Sequence, residues 1–193
     1  MNDSAAQRAL DALIEGNRRF ANGACIHPRH DAARRCEISK GQHPFAAVVA
    51  CSDSRVCPEI VFDQGLGDLF IVRTAGNVLD ETGIGSLEYA AAHLGVPLII
   101  VMGHSRCGAI EAALADGAAT GAVSTIILAL APSIARAKES RGELAVAASQ
   151  EHVRSTVAML ERREPVIKRL VAEGGLRIAG VFYDVERGTI ELV

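Results

Sequence analysis

Apolar and polar positions along this chain switch between helical spacing and short continuous runs, and the switches mark its elements. Near the amino terminus Ala9, Leu10, Leu13, Ile14 and Phe20 recur at helical spacing, while Arg8, Asp11, Glu15 and Arg18 fall elsewhere. This predicts an amphipathic helix that Ser4 can cap. A loop with Asn22-Gly23 and His27-Pro28 follows, then a helical stretch over 31–40 that Gly41 can end. The apolar runs at 45–50, 69–73 and 98–102 are too short for helices of their own and read as buried strands. Between them a short helix at 58–62 is broken by Gly65 and Gly67, and the Gly76-Asn77 turn ends the second strand. Gly83 and Gly85 lead into a helix over 86–94, which Gly95 and Pro97 end. Strand, helix, strand alternation implies right-handed parallel crossovers.

Beyond Gly108 the pattern is helical through Leu114, and the Ala/Leu-rich region 123–137 predicts one or two helices interrupted at Pro132. Residues 149–162 carry Val153, Val157 and Leu160 on one stripe, and 165–173 form another helix ending at Gly174-Gly175. The chain closes with an apolar strand over 176–183, a turn around Arg187-Gly188 and a strand over 189–193, a hairpin-like pair.

At 193 residues the chain suits one domain, residues 1–193, with one buried core. Five Phe, two Tyr and no Trp leave that core to Ala, Val, Leu and Ile, as in an α/β protein. A net charge of −3 without a lysine-rich tract gives no reason to expect nucleic acid or a membrane as partner, so a small-molecule substrate is expected. Met1-Asn2-Asp3-Ser4 lacks the basic and apolar regions of a secretory signal, which predicts a cytoplasmic protein. Five cysteines, an odd number, then favour metal or catalytic roles over a disulfide framework. Cys25, Cys36 and Cys57 read as small packed side chains.

The remaining two, Cys51 and Cys107, carry the chemistry. Cys51-Ser52-Asp53-Ser54-Arg55 and His104-Ser105-Arg106-Cys107-Gly108 each follow an apolar strand, so both clusters can meet at the carboxyl edge of a sheet. Two thiolates and one imidazole suit zinc and leave its fourth tetrahedral position free, as in catalytic sites. Zinc lowers the pKa of bound water from about 15.7 to about 7, and donation from thiolates shifts that working range upward. Asp53 and Arg55 point the same way in an extended segment. The Asp53 carboxylate can accept a hydrogen bond from zinc-bound water or take the fourth position itself, and a bidentate pair with Arg55 holds it off the metal.

These segments resemble the β-class carbonic anhydrases. The likeness extends to Glu15-Gly-Asn-Arg-Arg-Phe20, Gly41-Gln42, Phe62-Asp-Gln-Gly-Leu-Gly-Asp-Leu-Phe70, Val72-Arg73 with Ala75-Gly76-Asn77, Gly85-Ser-Leu-Glu-Tyr89 and Gly180-Val-Phe-Tyr-Asp184. Residues 117–148 are its least specific part. The resemblance implies reversible hydration of CO2 to bicarbonate and a proton by a zinc-bound hydroxide, with one Zn2+ per subunit on Cys51, His104 and Cys107. Asp53 and Arg55 match the catalytic dyad, with Asp53 a fourth ligand only in a closed form. Gln42 is implied as an amide donor to substrate oxygen, and Phe70, Ala75 and Tyr89 as lining of the substrate pocket, Tyr89 coming from the partner subunit. The N–H of Gly108 is expected to bond Asp53.

The implied fold is a mostly parallel four-stranded sheet with an antiparallel fifth edge strand and helices on both faces. Its amino-terminal helix reaches to a partner, in a homodimer or homotetramer. Thr74 stands where the family commonly has Asn, and Ala75 where several members have Val. Lacking Trp, the chain is not expected to carry the inhibitory bicarbonate site of one subgroup. Hydrolysis of carbonyl sulfide or carbon disulfide at the same ligands, and a closed structural zinc site, are the competing readings. His27, His30, His43, His93 and His152 are not assigned to a proton route.

Overall fold

Strand β1 (Ala46–Cys51) lies between β2 (Leu69–Thr74) and β3 (Leu98–His104), parallel to both, and β4 (Arg177–Tyr183) continues the parallel sheet beyond β3. β5 (Ile190–Leu192) runs antiparallel along β4, which gives the order β2-β1-β3-β4-β5. This computed structural model describes residues 4–115, 119–140 and 142–193. Met1-Asn2-Asp3, used above for the compartment expectation, lies outside them. Among the described residues no helix is long and apolar enough to cross a membrane.

All residues of β1 and β3 are buried, the reason their sequences are unbroken apolar runs rather than alternating ones. The pleat sorts them between two faces. Ala46, Val48, Ala50, Leu98, Ile100 and Met102 pack with Leu10 and Leu13 of helix α1 (Ala5–Ala21). Ala47, Val49, Ile99 and Val101 pack on the other side, against α4 (Glu81–Ala92), α7 (Leu144–Glu161) and α8 (Val166–Ala172). A third cluster at the carboxyl edge joins Cys51 and Cys107 to α5 (Gly108–Leu114) and α6 (Val123–Ala137). The short helices α2 (Ala32–Ile38) and α3 (Pro58–Val61) complete the set.

Several expectations change in detail. α4 starts at Glu81 rather than Ser86, with Asp80 accepting from the Gly83 N–H at 2.8 Å. Gly83 does not break this helix but lies in its first turn. Pro132 lies inside an unbroken α6, and Leu128, four residues before it, is 71% exposed, so water can take over from the missing N–H. α7 begins five residues earlier than 149, at Leu144. α1 presses its apolar stripe on the sheet of its own chain, where Ala6, Ala9, Leu10 and Leu13 are buried.

What holds α1 down is partly polar. A Cβ on Gly16 would sit 1.8 Å from the Phe62 carbonyl oxygen, so only glycine lets the helix touch that backbone. Buried Asn17 donates to the carbonyls of Val61 (3.1 Å) and Gly188 (2.8 Å) and accepts from the Ile190 N–H (3.0 Å), joining α1, α3 and the final hairpin. Arg19 donates through Nε to the wholly buried Asp63 carboxylate at 2.6 Å, which also accepts from the N–H groups of Ile26 and His27. Burial pushes the Asp63 carboxyl up, but these donors together outweigh it and hold it below its ordinary value.

Asp63→Asn is therefore expected to destabilise the protein by about 2–4 kcal/mol at neutral pH, as for a broken buried ion pair. Because the folded pKa is depressed, this contribution is complete above the ordinary carboxylate pKa and is lost as the pH falls through the lower folded value. Urea unfolding of both proteins across pH 2–7 checks this: the gap should close at the acid end, and a pH-independent gap would contradict the assignment.

Candidate metal centre

Parallel pairing delivers two potential ligands to one edge, since Cys51 is the last residue of β1 and His104 the last of β3. Cys107 follows two residues after Ser105, at the residue that precedes α5, and Arg106 in a left-handed conformation (φ 54°) makes the sharp turn between them. The two sulfurs and a histidine nitrogen all lie within 4.8 Å of one another, and the three residues are no more than 4% exposed.

The histidine ring is set for a cation. His104 Nδ1 lies 2.9 Å from the Ser105 carbonyl oxygen, which assigns the proton to Nδ1 and the lone pair to Nε2. That Nε2 is buried with no hydrogen-bond partner among the described residues. An orphaned lone pair beside two thiols is a costly arrangement that a bound cation resolves. The donor set is soft, with no carboxylate in the triad, and so fits zinc rather than magnesium or calcium.

Main-chain donors prepare the sulfur of Cys51. It accepts from the N–H of Gly76 at 3.2 Å and of Asp53 at 3.4 Å. A hydrogen bond from the Cys107 thiol, then His104 and these two N–H groups, drive its pKa down against burial. Cys107 moves the other way, because the Cys51 thiolate beside it and its own burial both disfavour a second negative charge. Two adjacent buried thiols thus release one proton readily and the second only with a cation present.

Asp53 stands apart from the triad and is gripped by Arg55. Oδ1 accepts from the Arg55 N–H (3.0 Å) and Nε (2.9 Å), and Oδ2 from an Arg55 terminal nitrogen at 2.7 Å. Chiefly through the Arg55 side chain, and against partial burial, the Asp53 carboxyl is lowered to about 2. Arg55 also donates to the Arg106 carbonyl oxygen at 2.9 Å, so one guanidinium spans both ligand loops. The expected bond from Gly108 is absent: among the described residues the carboxylate accepts from Arg55 alone, which occupies both its oxygens, and Gly108 begins α5.

The other anticipated residues divide into two places. Ala75, next to Gly76, lines an apolar groove with Thr74, Val78 and Ile126 near the carboxyl edge. Thr74 Oγ1 donates to the Val78 carbonyl and so ties the ends of that turn. Gln42, on the loop before β1, instead shares a groove with Tyr89 and Leu94. The Phe70 and Tyr89 rings lie 6.3 Å apart, and Tyr89 stacks on His93 at 5.3 Å. Phe70 pairs with Ala47, whereas Cys51 pairs with Thr74. Four residues along a strand put Phe70 about 13 Å back from the metal edge. The Gln42, Phe70 and Tyr89 group is therefore remote from the triad of its own chain.

Sequence reading missed the hands that hold the loops. Arg73 donates to the carbonyls of Cys51 (3.0 Å) and Asp53 (2.8 Å), bracketing Ser52. Gly76, read as a turn residue, has φ 66° and directs its N–H at sulfur. Arg73, Gly76 and Asn77 stood in the resembling segments, but nothing in residue type alone connects an arginine to the Cys51 carbonyl or a glycine to the Cys51 sulfur, 22 or more residues away.

A family model described as carbonic anhydrase matches residues 46–190. Carbonic anhydrase 2 of Mycobacterium tuberculosis is 45% identical over 184 residues, covering 93% of this chain and 89% of that protein. The carbonic anhydrase of Mycolicibacterium smegmatis is 42% identical over 196 residues, covering 100% and 95%. Among solved structures, a tetrameric β-carbonic anhydrase of Sordaria macrospora superposes with a TM-score of 0.77 at 28% identity, covering 96% of this chain and 97% of that one. A Coccomyxa β-carbonic anhydrase in complex with acetazolamide gives 0.76 at 26% identity, covering 95% and 86%. With the two-thiol, one-imidazole triad at the carboxyl edge of a five-stranded sheet, these likenesses show that the chain belongs to the β-class carbonic anhydrases, a family of carbonate dehydratases.

Proposed function

We propose that Cys51, His104 and Cys107 hold one zinc ion per chain for the reversible conversion of CO2 and water to bicarbonate and a proton. The buried, partnerless Nε2 of His104 beside two thiols carries this reading. Zinc held there supplies Lewis acidity and a bound water of lowered pKa. The chain's own residues then orient and discriminate. With its pKa lowered to about 2, Asp53 is too weak a base to keep a proton near neutrality, so it serves as an ionised hydrogen-bond acceptor that orients the attacking water. Arg55 keeps that carboxylate off the metal; the closed alternative, with Asp53 as fourth ligand, requires at least one of the carboxylate oxygens to give up its Arg55 donors.

The reading also takes the active form to be an isologous homodimer, or a tetramer built from such dimers. Gln42, Phe70 and Tyr89 are the residues expected at substrate, yet Phe70 lies about 13 Å back along the sheet from the carboxyl edge, with the Tyr89 ring beside it and Gln42 in the groove that Tyr89 lines. In a two-fold assembly that patch completes the partner's site: Gln42 donates to substrate oxygen, and Phe70, Tyr89 and Ala75 wall a pocket small and apolar enough for CO2. Residues 1–193 are read as a single domain, because α1 and the final hairpin pack on one sheet. All five cysteines are free, in keeping with a cytoplasmic location.

Two outcomes follow. Asp53→Ala should retain about one zinc per chain by elemental analysis while kcat/KM for CO2 hydration falls on the order of 100-fold, the effect of a lost orienting group; near-normal activity would remove Asp53 from the mechanism. Asp53→Ala and Gln42→Ala, each nearly inactive alone, should regain about a quarter of wild-type activity after unfolding and refolding together. A randomly formed dimer population is half mixed, and each mixed dimer has one intact site. No recovery from a properly reassembled mixture would place Gln42 in its own chain's site or outside catalysis.

A further inference from the structure

The main chain of one proposed ligand is held from outside the sheet. Pairing of β1 with β3 runs from Ala47 with Ile99 to Val49 with Val101. Past that point the His104 carbonyl oxygen accepts from Ser149 Oγ of α7 at 3.2 Å, a buried hydrogen bond across 45 residues. The other side of the same peptide is also held, because the Ser105 N–H donates to the Tyr183 carbonyl of β4 at 2.9 Å. A peptide is planar, so fixing its oxygen on one side and its N–H on the other fixes its rotation. That plane leads directly to the Ser105 carbonyl oxygen, to which His104 Nδ1 donates at 2.9 Å. Ser105 is tied once more, its Oγ accepting from the Val185 N–H at 3.0 Å.

Ser149 reaches that carbonyl because α7 lies unusually close to the sheet. A Cβ on Gly103, the residue before His104, would sit 2.6 Å from Val153 Cγ2 and 2.9 Å from Ser149 Oγ, and a Cβ on Gly180 would sit 2.6 Å from Val153 Cγ1. Gly103 belongs to β3 and Gly180 to β4, where the register sets Gly180 beside Val101, two residues before Gly103. The two glycines therefore form one notch across neighbouring strands, and Val153 fills it. Ser149 and Val153 are one turn apart on the same face of α7, so seating the valine delivers the hydroxyl. Both residues are buried, and a His104 carbonyl without this donor would have little water to turn to.

Resting on the metal reading above, we propose that Ser149 is a positioning residue for the metal centre: its hydroxyl locks the peptide that follows His104, and so keeps the Ser105 carbonyl on Nδ1 and Nε2 turned toward Cys51 and Cys107. Without that hydroxyl the peptide is held at its N–H side alone. The bond from Nδ1 then opens more often, the ring turns, and metal leaves faster.

The test uses the full chain loaded with zinc, comparing wild type with Ser149→Ala, Ser149→Cys and Leu160→Ala. Leu160 is a wholly buried residue of the same helix, packed in the cluster beneath the sheet. Ser149→Ala should transfer zinc to a chromophoric chelator about 10-fold faster. Hydrogen exchange at His104 Nδ1, followed by NMR on protein carrying nitrogen-labelled histidine, should quicken by a similar factor. Ser149→Cys keeps a side chain of similar size with a weaker donor, and should change both by about 3-fold. Leu160→Ala should lower Tm and leave both at wild-type values. Wild-type values in Ser149→Ala, or in Ser149→Cys should the alanine variant fail to fold, would overturn the proposal, as would equal changes in Leu160→Ala. A wild type that binds no zinc would instead defeat the metal reading, and exchange at Nδ1 in the metal-free chains would still decide the role of Ser149.

Discussion

Val48 of β1 lies beside Ile100 of β3 in a parallel pair, and continuing that register carries the ends of both strands to the same edge. A slip of one residue would turn the Cys51 side chain to the opposite face of the sheet and separate it from His104. Both strands are wholly buried, with their alternate residues divided between two apolar clusters, so such a slip would also exchange every one of those residues between faces. The candidate metal centre is thus specified by hydrophobic packing several residues away. Its ligands need only be the last residues of strands whose register is already settled.

On this edge the protein meets charge with fixed main-chain dipoles and cations. Cys51 Sγ meets two N–H groups, Asp53 meets three donors from Arg55, and Arg73 holds the carbonyls on either side of Ser52. Arg55 and Arg106 then link the two ligand loops to each other and to the final turn, Arg106 by an ion pair with Glu186. The surface pair between Arg106 and Glu186 adds little stability in water. The N–H donors at the buried Cys51 sulfur matter more, because little solvent is available to replace them.

Strands were legible where burial on both faces writes itself as unbroken apolar residues, and the triad was legible because Cys and His carry their chemistry in their identity. Helix starts were less so. Gly83 and Gly85 look like breakers, yet both lie inside α4. Pro132 looks like an interruption, yet it falls where the helix faces water. The segments from Glu15 to Phe20 and from Phe62 to Phe70 resembled the family without any visible reason. In the fold they form one polar clasp, with Asn17, Arg19, Arg29, Asp63 and Asp68 exchanging hydrogen bonds across the first helix and the loop before β2. Pairings across 44 or 171 residues leave no local pattern to read. The separation of Phe70 from Cys51 along the sheet likewise becomes visible only when the pairing of β1 with β2 is known.

Asn17 bonds to Gly188 and Ile190 across 171 and 173 residues, and His104 pairs with Tyr183 in β4. These are contacts of very high contact order, and making them closes nearly the whole chain into a loop, an entropic cost of the kind that slows folding. During synthesis on the ribosome, β1, β2 and β3 emerge long before the strand that flanks His104 and the hairpin that anchors α1. The finished geometry of the Cys51, His104 and Cys107 triad therefore comes only after translation reaches the last strands. Until then, the nascent chain presents its two thiols and imidazole without the neighbours that order them.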